Sequence, residues 1–124
     1  METLLIETPI LPGKYEAFKR GHADFSGPRW PEFKAYLQRM GLTRQVEWLR
    51  RTPEGDSLIV LLEGDDPAQT SKRLAASDHP FDVEFAGIMH DIHGFDPASP
   101  APDAALQLVF EYSAERMVAF EPNT

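Results

Sequence analysis

The tightest constraint on this chain is a pair of alternating runs joined by too few residues for anything but a turn. From Thr43 to Thr52 the side chains alternate, with Arg44, Val46, Trp48 and Arg50 on one side and Gln45, Glu47, Leu49 and Arg51 on the other. That is the period-two pattern of a strand. Thr52-Pro53-Glu54-Gly55-Asp56 follows. Proline there fixes one φ and glycine permits another, so the run from Ser57 to Glu63 is expected to return antiparallel.

The rest of the chain arranges itself around this hairpin. Leu4, Ile6 and Ile10 share one parity in a first strand that ends at Pro12-Gly13. Tyr15, Phe18 and Phe25 fall at helical spacing until Ser26-Gly27-Pro28 interrupts them, and a second stripe, Trp30, Phe33, Leu37 and Met40, ends at Gly41. These predict a broken helical layer. Beyond the hairpin, Asp66, Pro67 and Gln69 have the spacing of a capping box opening a helix to Ser77. Pro80 restarts a helix whose stripe is Phe81, Phe85, Ile88 and Ile92, stopped by Gly94. Pro97, Pro100 and Pro102 make an extended connector. Ala105 to Tyr112 then alternates as a last strand.

The order β-α-β-β-α-β is the ferredoxin-like order. With 124 residues, 42% of them hydrophobic, the chain has the size and core of one domain. The expected fold is an α+β domain over residues 1–112, a four-stranded antiparallel sheet with helices on one face. A tail at 113–124 can pack on a partner subunit.

Sorting the strands by parity predicts which face the helices cover. Leu4, Ile6, Val46, Trp48, Leu58, Val60, Leu62, Leu106, Leu108 and Phe110 fall on one side. The other side mixes Leu5, Leu49, Ile59, Leu61 and Val109 with Glu7, Gln45, Glu47, Arg51, Glu63, Gln107 and Glu111. Water is a poor cover for such a face, and a second copy stacked on it would bury the aliphatic part, so a homodimer is expected. The carboxylates of Glu7, Glu47, Glu63 and Glu111 would then approach the interface and need cationic partners such as Arg51.

Several phrases resemble those of an uncharacterised group of small proteins within the dimeric α/β-barrel superfamily. They are Val46-Glu47-Trp48-Leu49, Thr52-Pro53-Glu54-Gly55-Asp56, Leu62-Glu63-Gly64-Asp65-Asp66-Pro67, Ser77-Asp78-His79-Pro80-Phe81-Asp82 and Ile92-His93-Gly94. The resemblance implies the ferredoxin-like fold and a dimer. It implies no reaction, because the wider superfamily includes cofactor-free monooxygenases, heme-binding enzymes, lactone isomerases, sugar mutarotases and stress-response proteins.

Composition excludes several classes. Twenty acidic against twelve basic residues give a net charge of -8, which repels nucleic acid and anionic membranes. Cysteine is absent, so there is no disulfide framework or thiolate chemistry, in keeping with a reducing, cytoplasmic setting. The longest aliphatic run, Leu58 to Leu62, is too short for a membrane span, and no export signal opens the chain. Glycine-rich phosphate loops, the Gly-x-Ser-x-Gly elbow and His-Glu-x-x-His are missing from the sequence. No cofactor is expected.

The candidates for chemistry are the histidines and the aromatic cluster. His22 falls within the stripe of Tyr15, Phe18 and Phe25 and is expected to point to the core or a pocket. There it is either a general base for an apolar substrate or a hydrogen-bonded structural histidine. Trp48, Phe81, Phe85 and Tyr112, with Arg44 at the mouth, would line a pocket for a small organic ligand; a filled core gives the same pattern. His90 and His93, three apart, could share a metal or hold heme, and His79 with Asp82 could contribute to an ion site. Against that, His90 lies opposite the apolar stripe, and His93 beside Gly94 could cap the helix end. A small-ligand-binding homodimer, a cofactor-independent monooxygenase or isomerase, and a metal or heme protein therefore all stay open.

Overall fold

The computed structural model describes residues 2–99, 106, 108–115 and 117–119. Strand β1 (Glu2–Pro9) leads into helices α1 (Tyr15–Ser26) and α2 (Trp30–Arg39), then into the hairpin of β2 (Leu42–Thr52) and β3 (Gly55–Gly64). A 3-10 turn (Pro67–Gln69), α3 (Thr70–Ala76) and α4 (Pro80–His93) follow, and then the short strands β4 (Phe110–Tyr112) and β5 (Met117–Ala119). No helix among the described residues is long and apolar enough to cross a membrane.

Local chemistry accounts for the element ends. Thr52 pairs directly with Gly55, so the turn is Pro53-Glu54 alone, and Thr52 Oγ1 donates to the Gly55 carbonyl at 2.7 Å. At the start of α4, His79 Nδ1 accepts from the Phe81 amide at 3.2 Å, and at its end Gly94 closes the helix at φ 69°, the left-handed conformation glycine adopts freely. The capping box expected at Asp66 does not form. Its backbone carbonyl, not its side chain, takes the Gln69 amide, which winds a 3-10 turn ahead of α3.

Among the described residues the sheet has three strands in the order β1-β3-β2, all antiparallel, not the four expected. The last predicted strand reaches β1 only through a bridge between Leu106 and Thr3. Its end pairs instead with β5, Phe110 opposite Ala119 and Tyr112 opposite Met117. Residues 100–103 of the expected connector, 105 and 107 of the expected strand, and 116 and 120–124 of the tail lie outside the described residues.

One further expectation is reversed, the facing of β2. Leu42 pairs with Gly64 but Arg44 with Glu63, so Thr43 is an extra residue in β2. An inserted residue turns every later side chain to the opposite face. Gln45, Glu47 and Leu49 therefore stand beside Leu62, Val60 and Leu58 under the helices, while Val46 and Trp48 stand beside Leu61 and Ile59 on the open face. Trp48 is 50% exposed there, and Leu5, opposite Leu61, 46%. The four carboxylates do not share a face either. Glu7 and Glu63 lie on the open one, held by Arg50 (3.3 Å) and Arg44, whereas Glu47 points to the helices and Glu111 belongs to β4.

Two apolar clusters hold sheet and helices together. One gathers Leu4, Tyr36, Leu62, Leu74, Phe81 and Phe85 at the start of β1. The other, Ile10, Phe18, Leu58 and Ile92, lies at its end. Beside the first, Asp82 is fully buried and accepts from Arg39 Nε at 3.0 Å, Arg39 Nη2 at 2.6 Å and Ser77 Oγ at 2.6 Å. Burial by itself would raise its pKa; the guanidinium fork and the hydroxyl outweigh that and hold it below the usual carboxylate range. This clamp ties the end of α2 to the junction between α3 and α4.

Candidate functional site

The two clusters do not close on each other, and a cavity of about 660 Å³ lies between the sheet and the helices. That volume suits a small organic molecule. Leu4, Ile6, Thr8, Val60 and Glu47 form its floor, and Phe18, His22, Phe33, Phe85, Ile88 and His93 are among the residues of its roof. The walls are largely apolar, with His22, Glu47 and His93 gathered where α1, β2 and the end of α4 meet.

His22 projects from α1 because it continues the helical face of Phe18, one turn earlier, against whose ring it packs at 4.3 Å. Its Nδ1 lies 3.1 Å from the Phe18 carbonyl and its Nε2 lies 2.7 Å from Glu47 Oε2. A carbonyl and a carboxylate oxygen only accept here, so both ring nitrogens are best satisfied as N–H donors, which is the imidazolium form. The hydrogen bond to Glu47 raises the pKa of His22, against the opposing effect of its burial. Glu47 also accepts from Gln45 Nε2 at 3.4 Å.

His93 is in the opposite condition. It is buried on the last turn of α4, edge-on to the same Phe18 ring at 6.1 Å, and its Nδ1 donates to the Pro9 carbonyl at 2.7 Å. Its Nε2 is buried and meets no hydrogen-bond partner. Burial lowers its pKa, opposed by the bond to Pro9 and the field of Glu47 and reinforced by the field of His22. Two imidazoles flanking one aromatic ring are thus pushed in opposite directions, His22 toward holding its proton by Glu47 and His93 toward the neutral form by burial, with Nε2 unpartnered.

Of the residues singled out in the sequence, His22, Phe85 and Arg44 do line the cavity, Arg44 pairing with Glu63. Phe81 is 5% exposed within the first cluster. Trp48 is turned away by the bulge, and Tyr112 lies on β4, which pairs with β5 and not with the sheet. His90 is exposed while His93 is buried, so they do not converge, and among the described residues no three His, Cys, Asp or Glu side chains group as for a metal. His79 caps α4, and Asp82 is taken up by Arg39. Glu47 and the pocket role of His93 were missed. A glutamate flanked by Val46 and Trp48 was the signal for the first, once that strand is read from its other face.

No protein-family model matches the chain, and no curated protein matches it. Among solved structures, an L-rhamnose mutarotase from Formosa agariphila is similar, with 21% identity over 91% of this chain and all of that one and a TM-score of 0.57. The likeness supports a ferredoxin-like fold for the chain.

Proposed function

We propose that this protein is a cofactor-independent isomerase that binds a small organic molecule between sheet and helices and moves a proton on it. The observation that carries the reading is the opposed state of His22 and His93 on one cavity wall. Paired titratable groups pushed apart in this way divide into an acid and a base. The role expected for His22 from the sequence is then inverted. Its bond to Glu47 makes it the proton donor, and His93 Nε2 becomes the base.

Two substrate types fit that division. With an enolisable ketone, His93 takes the proton from the carbon beside the carbonyl, the C–H electron pair forms the enol, and the carbonyl oxygen takes the proton of the His22–Glu47 couple. With a free sugar, His93 takes the anomeric hydroxyl proton, the ring C–O bond breaks and the ring oxygen takes the donor's proton; closure on the other face gives the second anomer. The mutarotase of similar fold makes L-rhamnose the first sugar to try.

The test is NMR in D₂O with 2-tetralone, followed by α-proton exchange, and L-rhamnose, followed by anomer interconversion. Acceleration of either over buffer, lost in His93→Gln and reduced in His22→Gln, supports the reading. Buffer rates for both refute it and leave binding without turnover, a role the apolar walls favour. We further propose that the protein works in the cytoplasm as a homodimer joined through the open sheet face.

A further inference from the structure

The buried side-chain polar atoms without partners among the described residues are His93 Nε2 and Thr70 Oγ1, and both residues line the same cavity. Thr70, the first residue of α3, is 9% exposed. A buried hydroxyl with no partner is costly enough that native structures almost always satisfy it. The two atoms belong to opposite ends of the space. His93 bonds to Pro9, at the end of β1. Thr70 stands one helical turn before Leu74, which packs with Leu4 and Leu62 at the start of β1. Leu4 and Thr8, both on the cavity floor, are roughly 13 Å apart at the usual strand rise. Between them the walls are Ile6, Val60, Phe33, Phe85 and Ile88.

We infer that Thr70 is a second anchor, and that the ligand is an elongated molecule with an apolar, flat or aliphatic body, one carbonyl-type end at the histidines and one hydrogen-bonding group at the far end. A compact polyol satisfies one end only and sets its hydroxyls against hydrocarbon in the middle. The inference rests on the proposed histidine site for the orientation of the ligand. The anchor itself stands on the cavity and the unpartnered hydroxyl.

The probes are 4-acetylbiphenyl and 4-acetyl-4′-hydroxybiphenyl, titrated calorimetrically into the wild type, Thr70→Val and Thr70→Ser. A new buried hydrogen bond is worth about 1 kcal/mol, so the hydroxylated probe should bind wild type about fivefold more tightly than its parent. The gain should vanish in Thr70→Val, which keeps the shape and loses the hydroxyl, and return in Thr70→Ser. Affinity for 4-acetylbiphenyl should be the same in all three, and Thr70→Val should melt no lower than wild type. If both probes bind and the hydroxyl makes no difference, or its gain survives Thr70→Val, the anchor is overturned while the histidine site stands. If neither probe binds wild type, the cavity is not a site for such ligands, and the anchor falls together with the ligand-binding reading beneath it.

Discussion

Nε2 of His22 stands 2.7 Å from Oε2 of Glu47, joining the middle of α1 to the edge strand β2 across the cavity wall. Glu47→Gln keeps the shape and removes the charge. The titration midpoint of His22, read from its ring resonances by NMR, should fall toward the ordinary histidine value near 6.5. A midpoint that does not move would mean that the pair contributes no charge stabilisation.

The two histidines also set a pH dependence. His93, lowered by burial, takes up its proton at lower pH than an ordinary histidine, and His22, raised by Glu47, loses its proton at higher pH. Turnover should therefore follow a bell whose acid limb belongs to His93 and whose alkaline limb belongs to His22. The stability contributions have opposite signs. That of His22 is full below its unfolded pKa and is lost as pH rises through its folded value. That of His93 is full above its unfolded pKa and is lost as pH falls through its folded value. In Glu47→Gln the alkaline limb should move to lower pH. An unshifted limb would detach it from His22.

Asp82 is the most buried charge among the described residues, and its value lies in three bonds to Arg39 and Ser77. Asp82→Ala leaves Arg39 without its fork partner and opens a polar hole, which should lower stability by about 2–4 kcal/mol. For a domain of this size that is on the order of 10 °C in Tm by calorimetry. Because its pKa is lowered, the carboxylate's contribution is complete above its unfolded pKa and disappears as pH falls through the folded value, so wild type should lose its advantage over the variant in strong acid. A variant within 1 kcal/mol of wild type at neutral pH would reduce the clamp to a surface ion pair.

What could be read in advance follows from which signals are local. The Pro53-Glu54 turn, the Gly94 stop and the inward face of His22 depend on residues a few positions apart, and the structure has all three. The facing of β2 depends on one extra residue at Thr43, which nothing in the alternation of Val46 and Trp48 discloses. That single bulge concealed Glu47, and with it the reason the pKa of His22 is raised. Among the described residues the expected fourth strand meets β1 only at Leu106, and its end pairs with β5, a choice of partner that its own alternation does not reveal. The cavity could not be distinguished from a filled core, since the same aromatic residues make either.

Gly64 marks the closest approach of two backbone segments. A Cβ built there would lie 2.2 Å from the Gly41 carbonyl oxygen and 3.1 Å from Leu42 Cα, both backbone atoms without side-chain freedom. Gly64→Ala should push β3 away from the start of β2 next to the Thr43 bulge and destabilise by about 2 kcal/mol or more, measured by urea unfolding. A loss under about 0.5 kcal/mol would show that the strands separate there without strain.

The last prediction concerns the open side of the sheet. Trp48 and Leu5 are half exposed there, with Val46, Ile59 and Leu61 on the same face and the Glu7–Arg50 and Arg44–Glu63 pairs at its margins. A half-exposed tryptophan offers a partner about half of the 150–250 Å² that a whole aromatic side chain buries, and one beside aliphatic neighbours on a rigid sheet forms a patch that water covers poorly. A twofold axis through this face would set Trp48 against the partner's aliphatic centre while each margin kept its charges paired within its own subunit. Sedimentation equilibrium at micromolar concentration should therefore give twice the chain mass for wild type. Trp48→Glu, which sets a second acid on this face across Ile59 from Glu7, should give a monomer with an unchanged circular dichroism spectrum, because Trp48 supports neither of the two apolar clusters. A wild type that sediments as a single chain removes the proposed interface, and a Trp48→Glu protein that remains dimeric places it elsewhere.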